Sequence, residues 1–230
     1  MEKGKSLLVQ CTMNVLSPEN TYAGIALHNS ISHGLSKDIF MPASENDIRR
    51  LFAGKGLAIG VHFGDRLVCL RTLVTDREWV NEALSAYGCK DSSDSKAAIT
   101  GFCIVDKEFR GNNIQFLSYY YMENLVSGKF NSIITTVSPK NIFSLQNVMA
   151  CGYHITGITN INGCFLRFIL EKEFSPACRI WTNGHITVPV RDMDGHNAAI
   201  AAGNAGYKII CKKTGGFHIL YGKAEQYSDE

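Results

Sequence analysis

The chain has 230 residues, 45% of them hydrophobic and 10% aromatic, which is enough for one well-buried domain with a modest appendage and too few for two large domains. With 19% charged residues and ample apolar material, general disorder is excluded. Lys and Arg total 23 against 21 Asp and Glu, and a net charge of +2 sets up no field able to recruit nucleic acid or an anionic membrane, so neither is expected as a partner.

Residues 18–52 are polar and weakly helical in rhythm. Ser44 and Asp47 ahead of the run 48–52 predict a capped helix that stops at Gly54 or Gly56. The period then changes to that of a β-hairpin, with arms at 57–63 and 66–74 joined by Gly64-Asp65. Residues 77–87 read as a helix ended by Gly88, 89–96 as a serine-rich loop, and 97–105 as an apolar strand. After the polar cluster 106–115, the spacing of Phe116, Leu117, Tyr120, Tyr121 and Leu125 predicts a helix that Gly128 terminates. A β-branched strand at 132–137 and a helix at 141–149 closing at Gly152 follow. Further on come strands at 164–170, 186–190 and 208–211, with an alanine-rich helix at 197–204 capped by Asp194.

Other constellations predict little chemistry. The eight cysteines contain no C-x-x-C pair and no cluster of zinc-site spacing, so no metal is expected and the thiols read as reduced core residues, Cys103 and Cys151 included. No two histidines have the i, i+4 spacing of a metal site, although His28 or His33 could border an acceptor pocket as a base. The apolar stretch at Leu7, Leu8 and Val9 is too short for a signal-peptide core, and the expected location is the cytoplasm.

The informative feature is a strand, then R-G-N-N-I-Q (Arg110, Gly111, Asn112, Asn113, Ile114, Gln115), then a helix. The first amides of a helix lack intrahelical partners and carry roughly half a positive charge, which suits phosphate. Gly111 permits close backbone approach, Asn112 and Asn113 tolerate left-handed backbone, and Arg110 offers a fork for phosphate oxygens. The same six residues are also compatible with a plain strand-to-helix turn capped by Asn.

The context of this segment extends to S-P-K-N-I-F-S-L-Q-N-V-M-A-C-G-Y at 138–153. Together the two segments resemble the GNAT superfamily of N-acetyltransferases. The family's pattern V-x-x-x-x-R-G-x-G-x-G/A is matched by Val105, Arg110 and Gly111, and its N-x-x-A/S followed by G-F/Y is matched by Asn141, Ser144, Gly152 and Tyr153. The resemblance covers roughly residues 57–170. It implies an α/β (α+β) fold, a twisted, mostly antiparallel mixed sheet with helices on both faces, splayed where acetyl-CoA enters. Residues 1–170 would form this domain, with 171–230 as a C-terminal extension packed on it that extends the sheet, covers the acceptor site or makes a homodimer contact.

The resemblance also implies roles. The turn from Arg110 through Gly111, Asn112, Asn113 and Ile114 to Gln115 would hold the acetyl-CoA pyrophosphate. Free amides of Cys103, Ile104 and Val105 would meet the pantetheine and the thioester carbonyl, and Asn141 and Ser144 would lie beside the pantetheine. The implied reaction is direct attack on acetyl-CoA by an amine of a small molecule or peptide. A binding module without transferase activity, or a transferase for longer acyl chains, is the alternative. Three departures stand out: Asn113 and Gln115 occupy positions where the family has small residues, and Val148 stands where members often carry a Tyr as general acid. Of Tyr119, Tyr120 and Tyr121, which could replace it, two of three are expected to be packing residues.

Overall fold

The computed structural model describes residues 10–89, 96–174, 178–213 and 215–227. Its frame is a ten-stranded sheet, begun by β1 (Cys11–Val15) along the edge of the hairpin β2 (Gly56–Phe63) and β3 (Arg66–Val74). Before the hairpin come α1 (Thr21–Ser32) and α2 (Glu45–Arg50). The predicted cap of α2 is present, with the Asp47 amide donating to Ser44 Oγ at 3.1 Å, and the chain leaves the helix through a wider turn at Leu51–Lys55, where Gly54 has φ +93°.

After the hairpin, α3 (Arg77–Tyr87) is capped by Asp76 and ended by a left-handed Gly88, as its sequence predicts, while the loop expected at 89–96 lies largely outside the described residues. β4 (Ala97–Val105), α4 (Ile114–Val126), β5 (Ser132–Val137) and α5 (Ile142–Ala150) follow in the predicted order. Next are β6 (His154–Ile161) and β7 (Phe165–Glu173), then β8 (Cys178–Pro189), α6 (Met193–Ala201), β9 (Ala205–Cys211) and β10 (Phe217–Tyr227). The strand order is β1-β2-β3-β4-β5-β7-β6-β9-β10-β8, antiparallel except for β4 beside β5.

Two apolar layers hold the sheet. On one face Ile25, Ile48, Leu51 and Phe52 pack with Leu70, Phe102 and Ile104, carrying the helices α1 and α2. On the other face Met122, Leu145, Val148 and Ala199, from α4, α5 and α6, pack with Leu73, Ile133, Phe168 and Ile219. Of the three placements open to the C-terminal segment, the structure has sheet extension: β9 joins β6 at Ile155 and Gly206, and β10 and β8 continue outward.

Several expectations differ from the structure. No strand is expected from the sequence at β6 or β10: the isoleucines of β6 at 155, 158 and 161 recur every third residue and do not show strand alternation, while β10 opens with the apolar run F-H-I-L-Y and is carried on through Gly222 and Lys223 by its pairing with β9 and β8. The last helix begins four residues earlier than expected. Its cap is Asp192, whose Oδ1 accepts the Gly195 amide at 2.9 Å, while Asp194 sits in the first turn. Both aspartates suit a cap chemically, and the fold selects the one that follows directly on β8.

Candidate acyl-CoA site

The site is built on the end of β4. Across β3 and β4 the register runs from Cys69 opposite Val105 to Arg71 opposite Cys103, then shifts so that Leu73 faces Thr100, leaving a bulge at Gly101 and Phe102. Thr72 closes the bulge: its Oγ1 accepts the Phe102 amide at 2.9 Å, and a Cβ at Gly101 would lie 2.6 Å from that oxygen. On the other side, β4 and β5 are paired only from Ala97 opposite Ser132 to Ile99 opposite Ile134. Beyond the bulge β4 stays with β3 while β5 stays with β7, so the two parallel strands part and leave a gap beside Cys103 and Val105.

Strand alternation decides which amides face that gap. The Asp106 amide donates to the Val68 carbonyl at 2.8 Å, so the Ile104 amide points the same way, into the β3 ladder, and those of Cys103 and Val105 point to the gap. The expectation for Ile104 is therefore corrected: its amide faces β3, and its side chain is buried in the layer beneath α1.

The turn after β4 is held from outside. Arg66 reaches Asp106 at 2.6 Å and Glu108 at 2.9 Å, occupying both carboxylates of the loop. Burial works against ionisation of Asp106, yet the Glu108 amide and the Arg66 guanidinium hold its carboxyl below the usual range. Phe109 is buried against Phe63 and Arg66, and Asn112 Nδ2 donates to the Phe109 carbonyl at 3.0 Å. Gly111 has φ +82° and Asn113 φ +56°, the left-handed backbone that Gly and Asn best tolerate.

The consequence is a row of open donors. Among the described residues, the amides 111–116 donate to no acceptor; the first helical bond of α4 runs from Leu117 to the Asn113 carbonyl at 2.9 Å. Asn113 occupies the cap position without a side-chain cap bond, so the simple Asn-capped turn is not what forms. Gly111, Asn112 and Asn113 are exposed, Ile114 is buried beneath them, and no atom lies within 4 Å of where a Gly111 Cβ would be. Arg110 is exposed too, but its Nε donates to the Val105 carbonyl at 3.0 Å, which fixes the side chain along the gap.

Gln115 has a partner that its sequence position did not suggest. Asn147 Nδ2 donates to Gln115 Oε1 at 3.0 Å, tying the first turn of α4 to α5. Below it, Arg71 donates to the Gln115 carbonyl at 2.7 Å and to Ser118 Oγ at 2.9 Å. At the head of α5, Asn141 is the cap and its Oδ1 accepts the Ser144 amide at 3.1 Å. Neither Asn141 Nδ2 nor Ser144 Oγ donates to any described residue.

Candidate acid–base groups sort by burial. Val148 is 1% exposed inside the layer under α5. Tyr119 is buried against Arg71 and Tyr153, Tyr121 is half-buried and Tyr120 is exposed, in keeping with the expected packing role for two of the three. Burial raises the Tyr119 hydroxyl above its ordinary range. His28 is also buried, and its Nε2 accepts the Ala43 amide at 3.2 Å, so it pins the connection between α1 and α2 and does not line an open acceptor pocket. Arg167 pins the same connection by donating to the Lys37 and Asp38 carbonyls at 2.8 and 3.0 Å.

No protein-family model and no curated protein sequence matches the chain. Solved structures do. A GNAT-family acetyltransferase from Streptococcus pneumoniae superposes with a TM-score of 0.57 at 11% identity, covering 72% of this chain and 100% of its own. The ribosomal-protein-S18-alanine N-acetyltransferase of Escherichia coli gives 0.55 at 11% identity over 74% and 97%. The microcin C7 self-immunity acetyltransferase MccE, solved with acetyl-CoA and AMP, gives 0.50 at 14% identity over 70% and 92%. The fold of this chain is thus the GNAT fold, an α/β mixed sheet opened between two parallel strands.

Proposed function

We propose that the protein is an acyl-CoA-dependent N-acyltransferase that moves an acetyl group from acetyl-CoA to an amine of a small molecule or peptide. The observation that carries this reading is the coincidence of the β4/β5 gap with the unpartnered amides at 111–116. A diphosphate needs convergent donors at a positive helix end, and a pantetheine amide needs free strand donors and acceptors beside it. Both lie in the required order along one continuous segment.

In this reading the amides 111–116 hold the pyrophosphate, and Arg110, anchored through Nε, offers its remaining N–H groups alongside. The outward amides of Cys103 and Val105 line the acyl arm, and one of them meets the thioester carbonyl. A donor aimed at the oxygen that becomes negative during amine attack contributes about 2.7–4 kcal/mol at comparable sites. Asn141 Nδ2 is free to reach the arm from the other wall. The amine attacks directly, and holding both reactants together supplies much of the acceleration. With Val148 buried, α5 supplies no acid at that position, and the thiolate departs on the strength of a thiol pKa near ~8.5.

A second reading, an acyl-CoA-binding module without transfer, is favoured by the same Val148. Calorimetry with CoA and acetyl-CoA, combined with thiol release over a panel of small amines and N-terminal peptides, tests both. Binding with amine-dependent thiol release is the expected result. Binding without release selects the module, and no binding overturns both. Turnover of acetyl-CoA against octanoyl-CoA sets the acyl length. Near-neutral net charge argues against strongly basic acceptor proteins.

A further inference from the structure

The most unusual group in the interior is Arg71. It is fully buried in the middle of β3 beneath α4, and among the described residues no carboxylate pairs with it. Its neighbours are the Ser118 hydroxyl, the Gln115 carbonyl and the face of Tyr119, 3.5 Å from the ring centroid, and its Nη1 has no acceptor. A guanidinium does not shed its proton, and a buried charge without a counter-ion is costly. The ionisable groups around it are Tyr119, Cys69 and Cys103. Cys69 Sγ and Cys103 Sγ lie 3.8 Å apart, and Cys103 Sγ is 4.0 Å from Ser118 Oγ.

These groups divide the proton in one direction. Cys103 stands directly opposite Arg71 across the β3–β4 pair and beside Ser118, whereas Cys69 lies two residues along β3. Of the two sulfurs in contact it is therefore Cys103 that this contact, Arg71 and Ser118 hold below its ordinary range against the effect of burial, while the same contact and burial push Cys69 up. Tyr119 is pushed up by burial. We propose that Cys103 is the thiolate counter-ion of Arg71, and that Cys69 and Cys103 form an oxidation site where hydrogen peroxide closes a disulfide and distorts the strand bordering the β4/β5 gap. The Cys103 thiolate attacks the peroxide, giving a sulfenic acid and hydroxide. The Cys69 thiol then attacks that sulfur, forming the S–S bond and releasing water, so the two thiols are oxidised and one peroxide is reduced.

The sheet register makes this bond mechanically consequential. Arg71 pairs with Cys103 and Cys69 with Val105, so the two cysteines are diagonal neighbours on one face. Diagonal backbone positions are about 7–8 Å apart, beyond the ~4.4–6.8 Å that a disulfide usually spans, so closing it draws β4 toward β3. The Cys103 and Val105 amides move with β4. This last consequence rests on the function proposed above, whereas the thiol chemistry does not.

The test uses the full chain, its Cys103→Ser and Cys69→Ser variants, and circular dichroism to check that each is folded. Thiolate ultraviolet absorbance is followed over roughly pH 5 to 9, spanning an unperturbed thiol. A thiolate present at neutral pH in the native chain and in Cys69→Ser, and lost in Cys103→Ser, is expected. Peroxide followed by peptide mapping should join Cys69 to Cys103 in the native chain and leave a dimedone-reactive sulfenic acid on Cys103 in Cys69→Ser. CoA affinity, measured by calorimetry, should fall on oxidation and return with dithiothreitol. Absence of the neutral-pH thiolate, a disulfide between other cysteines, or unchanged CoA affinity in the bridged protein overturns the proposal. If the reduced protein fails to bind CoA while the thiol results hold, the acyl-CoA reading alone fails.

Discussion

Gly111→Val separates a phosphate-binding turn from an ordinary connection. Space is not the obstacle, since no atom lies within 4 Å of the new Cβ, but φ is +82°. Holding a non-glycine residue in that region costs about 1–3 kcal/mol, and a β-branched residue falls toward the upper end. The strain has two outlets. If the turn keeps its shape, the cost appears as stability, a fall in Tm of about 2–4 °C per kcal/mol for a chain of this size. If the turn relaxes, the amides 111–116 rotate out of convergence, and at 1.4 kcal/mol per tenfold the same 1–3 kcal/mol weakens CoA by roughly 5- to 150-fold. Thermal melts with and without CoA, together with calorimetric affinities, measure both outlets at once. Gly34→Ala is the control, because Gly34 has open space and no positive φ. A Gly111→Val protein with native CoA affinity, whatever its Tm, would refute the assignment of the turn, because the valine side chain stands where a phosphate must approach.

Other outcomes follow from the packing and the buried charges. Asn147→Leu removes the bond to Gln115 and should cost about 1 kcal/mol by denaturant unfolding, with a larger loss in CoA affinity than a substitution on the far side of α5 produces. Lys172→Met strips Glu123, whose Oε1 is already buried without a partner, of its 2.6 Å ion pair, and should destabilise by about 1–3 kcal/mol; adding Glu123→Leu should restore part of that loss. Burial lowers the pKa of both His28 and His196 below the ordinary 6.5. As pH falls through that value the unfolded chain takes up protons that the folded chain refuses, so the contribution of these two histidines should be constant above about pH 7 and decline below about 6.5, and the lowered Cys103 thiol acts in the same direction between its ordinary range and about 6. Tm measured across that range tests the direction, and a Tm that rises on acidification contradicts it. Leu145→Ala, at a fully buried position under α5, should cost about 2–5 kcal/mol.

Local physics made much of this chain legible before folding was considered. The Ser44 cap, the Gly88 stop of α3, the apolar run of β4 and the left-handed backbone at Gly111 and Asn113 depend on residues within one turn of each other, and a short sequence window contains all of their causes. The order of strand, polar turn and helix followed, and with it the expectation of a phosphate-binding turn.

Tertiary structure decided the features whose causes lie far apart in the chain. Which β4 amides open to the gap depends on the register against β3 and on the Thr72-sealed bulge, and a one-residue slip would have presented Ile104 in place of Cys103 and Val105. The partner of Gln115 sits 32 residues away, and the surroundings of Arg71 bring together two strands and a helix. The strand β6 lacks the alternation that would mark it, and the charged second half of β10 holds strand structure because β8 satisfies its backbone. Sequence periodicity records which face of an element is apolar. Registers, gaps and buried charge clusters form only when separate elements meet, so they were settled by the packed sheet.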